Sequence, residues 1–396
     1  NSKFKIKRRS YKIKKMNYPW FKPFNNKLEL YKKIPNFIQK NKITMGNYSY
    51  KLEKKLKKIL KVKHVVLTTS GTSALMMATL ALGIKGKTKV ICTNMTWIAS
   101  INPSLICGAD LHLVDTIKAS QKVDFIKLNK LIKKVRPDVV ILVHLCGEPV
   151  YNKEFDSLKK KFKFKIIEDA AQSFLVKDEN KKFVGTKYDV GCFSLSITKI
   201  INMVYGGFCV TNNSNLARKL ISIRNNGVNA EPENAKLELA SQPGLNLKPS
   251  DLHSYIGLLN LNKKNNILAR VNELFLLYKK KLNNKNIKLL EVNFLNKPTI
   301  YVSELIKNKL NFEKFCKKNK ITIHLGTRCI HETNTVKKVK LSTFVNSAYL
   351  SKHLVRLPCG PGYEKKEILK IIKIINSYKN KILLILRQVV KKGSKV

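Results

Sequence analysis

Five short apolar runs between residues 64 and 167, each closing on a polar cluster, restrict this chain to few folds. His64-Val65-Val66-Leu67 opens onto T-T-S-G-T-S, and Val90-Ile91-Cys92 onto T-N-M-T-W-I-A-S. Leu111–Val114 ends at Asp115, Asp138–His144 ends in H-L-C-G-E-P, and Lys165-Ile166-Ile167 ends in E-D-A-A-Q-S. Short strands alternating with helical stretches predict an α/β fold with a largely parallel sheet. Ligands of such sheets collect beyond the carboxyl ends of the strands, so one site can gather all these clusters.

The intervening stretches support that reading. Leu52, Leu56, Ile59 and Leu60 form one helical face within residues 49–62. A second helix, from Ser73 to Leu82 and stopped by Gly83, is apolar nearly all round and is expected to lie buried against the sheet. Ser70, Gly71, Thr72 and Ser73 at its start form either a plain N-cap or a phosphate cradle of free N–H groups, hydroxyls and positive dipole.

Residues 189–207, D-V-G-C-F-S-L-S-I-T-K-I-I-N-M-V-Y-G-G, run as a strand through Val190, Cys192, Phe193, Leu195 and Ile197 to Lys199. Gly206-Gly207 and a second strand over 208–211 follow. A lysine between two strands is a candidate for amine chemistry, set against the ordinary solvated lysine in a chain with 78 Lys and Arg.

After about residue 250 a long helical pattern covers 251–283, and short strands mixed with Lys-rich helices follow. A large domain over residues 16–262 and a smaller α+β domain over 263–396, hinged on that helix, are expected. Residues 1–15 read as a basic tail, with Met16 an alternative start.

The charge is +53, from 78 basic and 25 acidic residues. The lysines are spread along the chain with many Ile and Asn, which favours AT-rich codon usage over a nucleic-acid-binding role. The longest apolar patches are five residues, too short to span a bilayer, which needs roughly 18 or more. The eight cysteines show neither CxxC nor metal-ligand spacing and read as small buried hydrophobes of a cytoplasmic protein.

Seven motifs in order carry a family resemblance: S-G-T-S-A-L at 70, T-W-I-A at 96, H-L-C-G at 144, E-D-A-A-Q-S at 168, F-S-L-S-I-T-K at 193, G-G at 206 and R-N-N-G at 224. Together they resemble the DegT/DnrJ/EryC1/StrS sugar aminotransferases, pyridoxal-phosphate enzymes of the aspartate aminotransferase fold. The likeness runs from Thr44-Met45-Gly46 to about Gly257, with a weaker echo in L-P-C-G-P-G at 357.

The resemblance implies roles for particular residues. Lys199 corresponds to the Schiff-base lysine, which also moves the substrate proton, and Asp169 to the carboxylate paired with the pyridine nitrogen. Gln172 corresponds to the partner of the ring hydroxyl, and Trp97 to the aromatic on the ring face. Gly71, Thr72 and Ser194 correspond to the phosphate cradle. Asn246 corresponds to a residue reaching the neighbouring subunit's phosphate, which implies a homodimer. Lys248, His324, Arg328 and His331 fall in regions that reach substrate.

The chain departs from the family pattern at Ser196-Ile197, Tyr205, Asn226 and Lys248. Lysine at the last position lacks the two-pronged grip of arginine. The implied reaction moves an amino group, with glutamate the expected donor, to a nucleotide-linked keto-deoxysugar. C4 is favoured over C3, and the product would serve a surface glycan such as lipopolysaccharide O-antigen. Two alternatives stand beside it: a sugar dehydratase, whose relatives replace the lysine, and an idle, regulatory or nucleic-acid-binding relative.

Overall fold

The structure is a computed structural model that describes residues 18–24, 27–40, 43–228, 240–290, 302–336 and 344–379; the basic tail over 1–15 lies outside them. Its large sheet contains β1 (His64–Thr68), β2 (Lys89–Thr93), β3 (Asp110–Val114), β4 (Val139–Val143), β5 (Lys165–Asp169), β6 (Val190–Ser194) and β7 (Gly207–Thr211). The seven strands lie in the order β1-β7-β6-β5-β4-β2-β3. β3, β2, β4, β5 and β6 are parallel, and β7 enters antiparallel between β6 and β1.

Both faces of this sheet are covered, which explains the continuous apolar runs. Val139, Ile141 and Val143 of β4 join the cluster on one face, while Val140 and Leu142 join the cluster on the other. The first face packs against α3 (Gly71–Ala81), and α4 (Asn102–Ile106) adjoins it. The second packs against α5 (Phe125–Val135) and α6 (Lys153–Phe162), through Leu128, Ile132, Phe155 and Leu158. α3 touches β6, β7 and also α7 (Ser214–Arg224), so a helix apolar on every side finds partners on every side. It begins at Gly71, two residues before the expected start, because Ser70 caps it by accepting from the Ser73 N–H.

At the N-terminal side stand α1 (Lys27–Lys40) and α2 (Asn47–Leu60). Leu52, Leu56 and Leu60 of α2 are buried as the periodicity predicts, and each such leucine contributes about 1.5–3 kcal/mol. The helix has no capping side chain of its own; Asp251 supplies one from a distant part of the chain. Its carboxylate accepts from the N–H groups of Gly46, Tyr48 and Ser49 at 3.2, 3.1 and 2.6 Å.

The helical pattern over 251–283 is two helices, not one. α8 (Asp251–Asn262) ends at Lys263, whose φ of −95° and ψ of 11° leave the helix, and α9 (Lys264–Lys281) starts afresh. The two bury different faces. α8 packs on α2, whereas Leu274, Phe275 and Tyr278 of α9 enter a separate apolar cluster with α12 (Lys365–Asn376). The start of α9 stays with the first core, where Ile267 and Val271 are buried, so this one helix runs from the large-sheet cluster into the second.

That second cluster lies on a three-stranded antiparallel sheet of β8 (Ile287–Leu289), β9 (Val302–Ile306) and β10 (Leu354–Leu357), in the order β10-β9-β8. α10 (Lys309–Lys318) and α11 (Val345–His353) adjoin it. Residues 18–24 form a strap along this unit, paired at Tyr18 with Ile321 and at Phe21 with Cys359.

Candidate active site

A cavity of about 380 Å³ opens where β4, β5 and β6 end and α3 begins. The expected strand over 190–197 stops at Ser194, and an irregular segment carries Lys199 round into this cavity before β7 starts. Lys199 is half-buried, and its N–H donates to the Ser196 carbonyl at 2.9 Å.

Asp169 is the last residue of β5 and is 6% exposed. Its Oδ2 accepts from Ser100 Oγ at 2.6 Å, and its Oδ1 from the Ala171 N–H at 3.1 Å. Burial pushes its carboxyl above the usual carboxylate range. The two hydrogen bonds and the positive charge of Lys199 oppose that rise without cancelling it. Beside it, His144 Nδ1 accepts from the Val150 N–H, so Nε2 carries the proton toward Glu168 Oε1 at 3.1 Å.

At the other strand ends, Gly71 and Ser194 approach closely. A Cβ on Gly71 would lie 2.7 Å from Ser194 Cβ, so only glycine admits this approach. The first N–H groups of a helix have no acceptor within it, and Ser70 takes only that of Ser73. The Gly71 and Thr72 N–H groups therefore remain at the mouth of the cavity beside the Ser194 hydroxyl.

Of the other expected residues, Gln172, Trp97 and His324 line the same cavity. Gln172 is held in place by its Oε1, which accepts from the Cys146 N–H at 2.9 Å. Trp97 is 63% exposed and so is not a core tryptophan. The His324 ring lies 4.7 Å from that of Trp20, and burial, aided by the Arg356 charge, lowers its pKa to about 4.

Arg328 lines an adjoining hollow that shares Thr96, Trp97 and His324 with the cavity. His331 lines neither: its Nδ1 lies against the Asn94 amide, 2.8 Å from Nδ2, and its ring stacks on Phe344. Asn246 is exposed and pairs with Asn225, and Lys248 is half-buried with its pKa lowered by burial and by Arg224. Neither lines the cavity within this chain.

Ser100, Arg356 and Trp20 line the cavity and have no role in the sequence reading. Ser100 lies just past T-W-I-A, and Arg356 just before L-P-C-G-P-G, so each borders a motif without belonging to it. Trp20 comes from the N-terminal strap, and nothing in its sequence surroundings signals that position.

A mixed sheet of this order, with a lysine, a buried aspartate and a helix N-terminus gathered at one set of strand ends, defines a pyridoxal-phosphate transferase of the aspartate aminotransferase fold. Residues 26–376 match the model of the DegT/DnrJ/EryC1/StrS aminotransferase family, and the chain belongs to that family. GDP-perosamine synthase of Escherichia coli O157:H7 is 25% identical over 342 residues, 84% of this chain and 90% of that protein. The UDP-4-amino-4,6-dideoxy-N-acetyl-beta-L-altrosamine transaminase of Campylobacter jejuni (subsp. jejuni serotype O:23/36, strain 81-176) is 32% identical over 242 residues, 60% of this chain and 62% of its own. Among solved structures, Bacillus subtilis NtdA with bound PMP superposes with a TM-score of 0.76 at 22% identity, covering 89% of this chain and 82% of that one.

The cofactor of this family is pyridoxal 5′-phosphate, and the residues present fit it. The glycine-tight helix start suits a phosphate, the buried carboxylate suits a protonated ring nitrogen, and a primary amine lies in the same cavity.

Proposed function

We propose that this chain transfers the amino group of an amino acid, glutamate being the expected donor, to the keto group of a nucleotide-linked deoxysugar. C4 is favoured over C3 as the aminated carbon, and the product serves surface-glycan assembly. The observation that carries this reading is the presence of Lys199 and Asp169 in one cavity beneath the α3 N-terminus. The names of the curated relatives support the choice of a nucleotide sugar as acceptor.

When bound, pyridoxal phosphate supplies the carbonyl that takes up the amino group and a ring that accepts the electron pair left at the donor α-carbon. The Gly71 and Thr72 N–H groups and the Ser194 hydroxyl would hold its phosphate, and Trp97 would cover its ring. Asp169 would hold the proton on the ring nitrogen, its position fixed by Ser100 and the Ala171 N–H. Gln172 would hydrogen-bond the ring hydroxyl.

Lys199 would take the proton from the donor α-carbon and deliver it to the carbon on the far side of the transferred nitrogen, which requires a neutral amine held over the reacting atoms. Asn246 lies outside this chain's cavity and would reach the phosphate of a second copy, so the working unit would be a homodimer. Lys248 would lie at the same junction. Arg328, in the hollow beyond Trp97, would meet the nucleotide-bearing part of the acceptor.

The large, cofactor-holding domain is assigned to residues 16–262 and the small one to 263–396. The protein has no helix among its described residues long and apolar enough to cross a membrane. Cytoplasmic residence accords with the free cysteines.

The test is direct. Purified protein should absorb in the visible after addition of pyridoxal phosphate, and borohydride should fix the cofactor on the peptide containing Lys199. A screen of nucleotide-linked keto sugars with glutamate, read by product mass, should then show amine in place of the keto oxygen. A protein that takes up no cofactor overturns the reading.

A further inference from the structure

The turn between Lys199 and β7 carries an aromatic side chain that none of the roles above absorbs. Tyr205 lines the same cavity as Lys199, yet it is 66% exposed. It is also one of the positions at which the chain departs from the family pattern, so its role belongs to this chain. A large ring left uncovered in the wall of a cavity is contact area for a ligand.

The backbone under Tyr205 is fixed. Val204, just before it, has a φ of 69°, in the left-handed region where a β-branched residue is strained. Such strain persists only where the surroundings impose it. Here the Met203 N–H donates to the Leu195 carbonyl at 2.8 Å, and the Leu195 N–H to the Gly206 carbonyl at 2.8 Å. The Tyr205 N–H donates to the Met203 carbonyl at 2.9 Å, and Met203 itself is fully buried. On the far side of the turn a Cβ on Gly207 would collide with the Ser70 carbonyl oxygen, so the turn abuts the start of α3. The ring of His253, on α8, lies 6.4 Å from that of Tyr205, and burial lowers its pKa below 6.5. His253 therefore adds no charge to this wall at neutral pH.

The chemistry of the two substrates decides which of them meets the ring. The face of an aromatic ring carries partial negative charge, which repels a carboxylate and attracts polarised C–H groups. An amino-acid donor presents a carboxylate on the reacting carbon, whereas a deoxysugar presents ring C–H bonds and a deoxy carbon. The base of the nucleotide is separated from the reacting carbon by the sugar ring, the diphosphate and the pentose. It is therefore remote from a residue that shares the cavity of the reactive amine. We infer that Tyr205 is a specificity-determining residue whose ring packs on the C–H face of the acceptor's deoxysugar. The inference rests on the transaminase reading above and adds the residue that recognises the sugar itself. Trp97, exposed in the same cavity, covers the cofactor in that reading, so the two aromatic side chains divide between cofactor and acceptor.

The test uses holoenzyme and the variants Tyr205→Ala and Tyr205→Phe, after checking that each takes up cofactor as the parent does. Each half-reaction is followed in a single turnover by the absorbance of the bound cofactor. The donor half uses whichever amino acid turns over the parent fastest, and the acceptor half uses the keto sugar found in the screen. In Tyr205→Ala the acceptor half should lose about tenfold in kcat/KM, the worth of an aromatic contact, while the donor half changes by less than about twofold. Tyr205→Phe keeps the ring and should stay within about twofold of the parent in both halves. As a readout free of turnover, borohydride-reduced holoenzyme is titrated by calorimetry with the same keto sugar nucleotide and with its nucleoside diphosphate alone. Tyr205→Ala should weaken the first about tenfold and the second by less than about twofold. Equal weakening of the two ligands would place the ring on the nucleotide and overturn the inference. An equal fall in both half-reactions overturns it too, as does a Tyr205→Ala loss accompanied by a change of oligomeric state in sedimentation. If the parent itself takes up no cofactor and uses no amino acid, the underlying reading has failed instead.

Discussion

Ser100 Oγ donates a 2.6 Å hydrogen bond to Asp169 Oδ2, linking a short helical turn after β2 to the last residue of β5. The bond opposes the effect of burial, which raises the Asp169 pKa. Ser100→Ala should therefore move that pKa further up and leave less of the anion at the acidic end of the working range. We expect kcat/KM to fall about tenfold or more, the worth of one hydrogen bond to a charged group, with the acidic limb of its pH profile displaced to higher pH. Ser100→Thr keeps the hydroxyl and should restore the profile. A profile unchanged in Ser100→Ala would remove Ser100 from the machinery.

Glu304 is a buried carboxyl on β9 whose side-chain oxygens have no hydrogen-bond partner among the described residues. It shares a strand face with Val302 and Ile306, which belong to the apolar cluster of the small sheet, and burial raises its pKa well above 4.5. The folded protein thus binds a proton that the unfolded chain releases near pH 4.5. Stability linked to this group is complete below that pH and is lost as pH rises toward the folded pKa. Glu304→Gln should flatten the decline in melting temperature between pH 5 and 8, and Glu304→Leu should raise the melting temperature at pH 8. A parent whose stability rises across that range while these variants behave identically would contradict the account.

The large sheet was legible because its strands are short, buried on both faces and closed by polar clusters, and those clusters are where the cavity forms. Asp169, Gln172, Trp97 and Lys199 stood out because each sits at or just past a strand end, where local pattern and chemistry coincide. The break at Lys263 was not legible, because the helical periodicity continues on both sides of it. Arg356 and Trp20 were missed for a related reason. They enter the cavity from the small sheet and the strap, through tertiary pairing that leaves no periodic trace. His331 was expected near substrate, but its contact with Asn94 holds it away from the cavity lining.

Asp251 joins the start of α8 to the start of α2 by accepting three backbone N–H groups and the Ser49 hydroxyl at 2.8 Å. Asp251→Ala removes a charged cap and leaves buried donors without an acceptor. The loss should exceed an ordinary N-cap change of about 1 kcal/mol and approach about 3 kcal/mol. Urea unfolding should show a lower midpoint with the slope unchanged. Asp251→Asn keeps an acceptor oxygen and should recover part of the loss, whereas equal midpoints for Asp251→Ala and parent would exclude a capping role.

The close approach of Gly71 to Ser194 makes a test in which steric and chemical contributions separate. In Gly71→Ala the new Cβ would meet Ser194 Cβ at 2.7 Å, so either α3 or the end of β6 must shift. Overpacking of this kind costs about 1–3 kcal/mol, and here it moves the N–H groups proposed to hold the phosphate. Affinity for pyridoxal phosphate, followed by fluorescence titration, should fall about tenfold or more. Ser194→Gly alone should weaken binding less, by the worth of one hydroxyl. The double variant removes the atom that the added methyl would strike, so it should bind about as well as Ser194→Gly alone and not show the sum of the two losses. Additive losses would mean that Gly71 matters for some reason other than its distance from Ser194, and the cradle would then have to be sought elsewhere along α3.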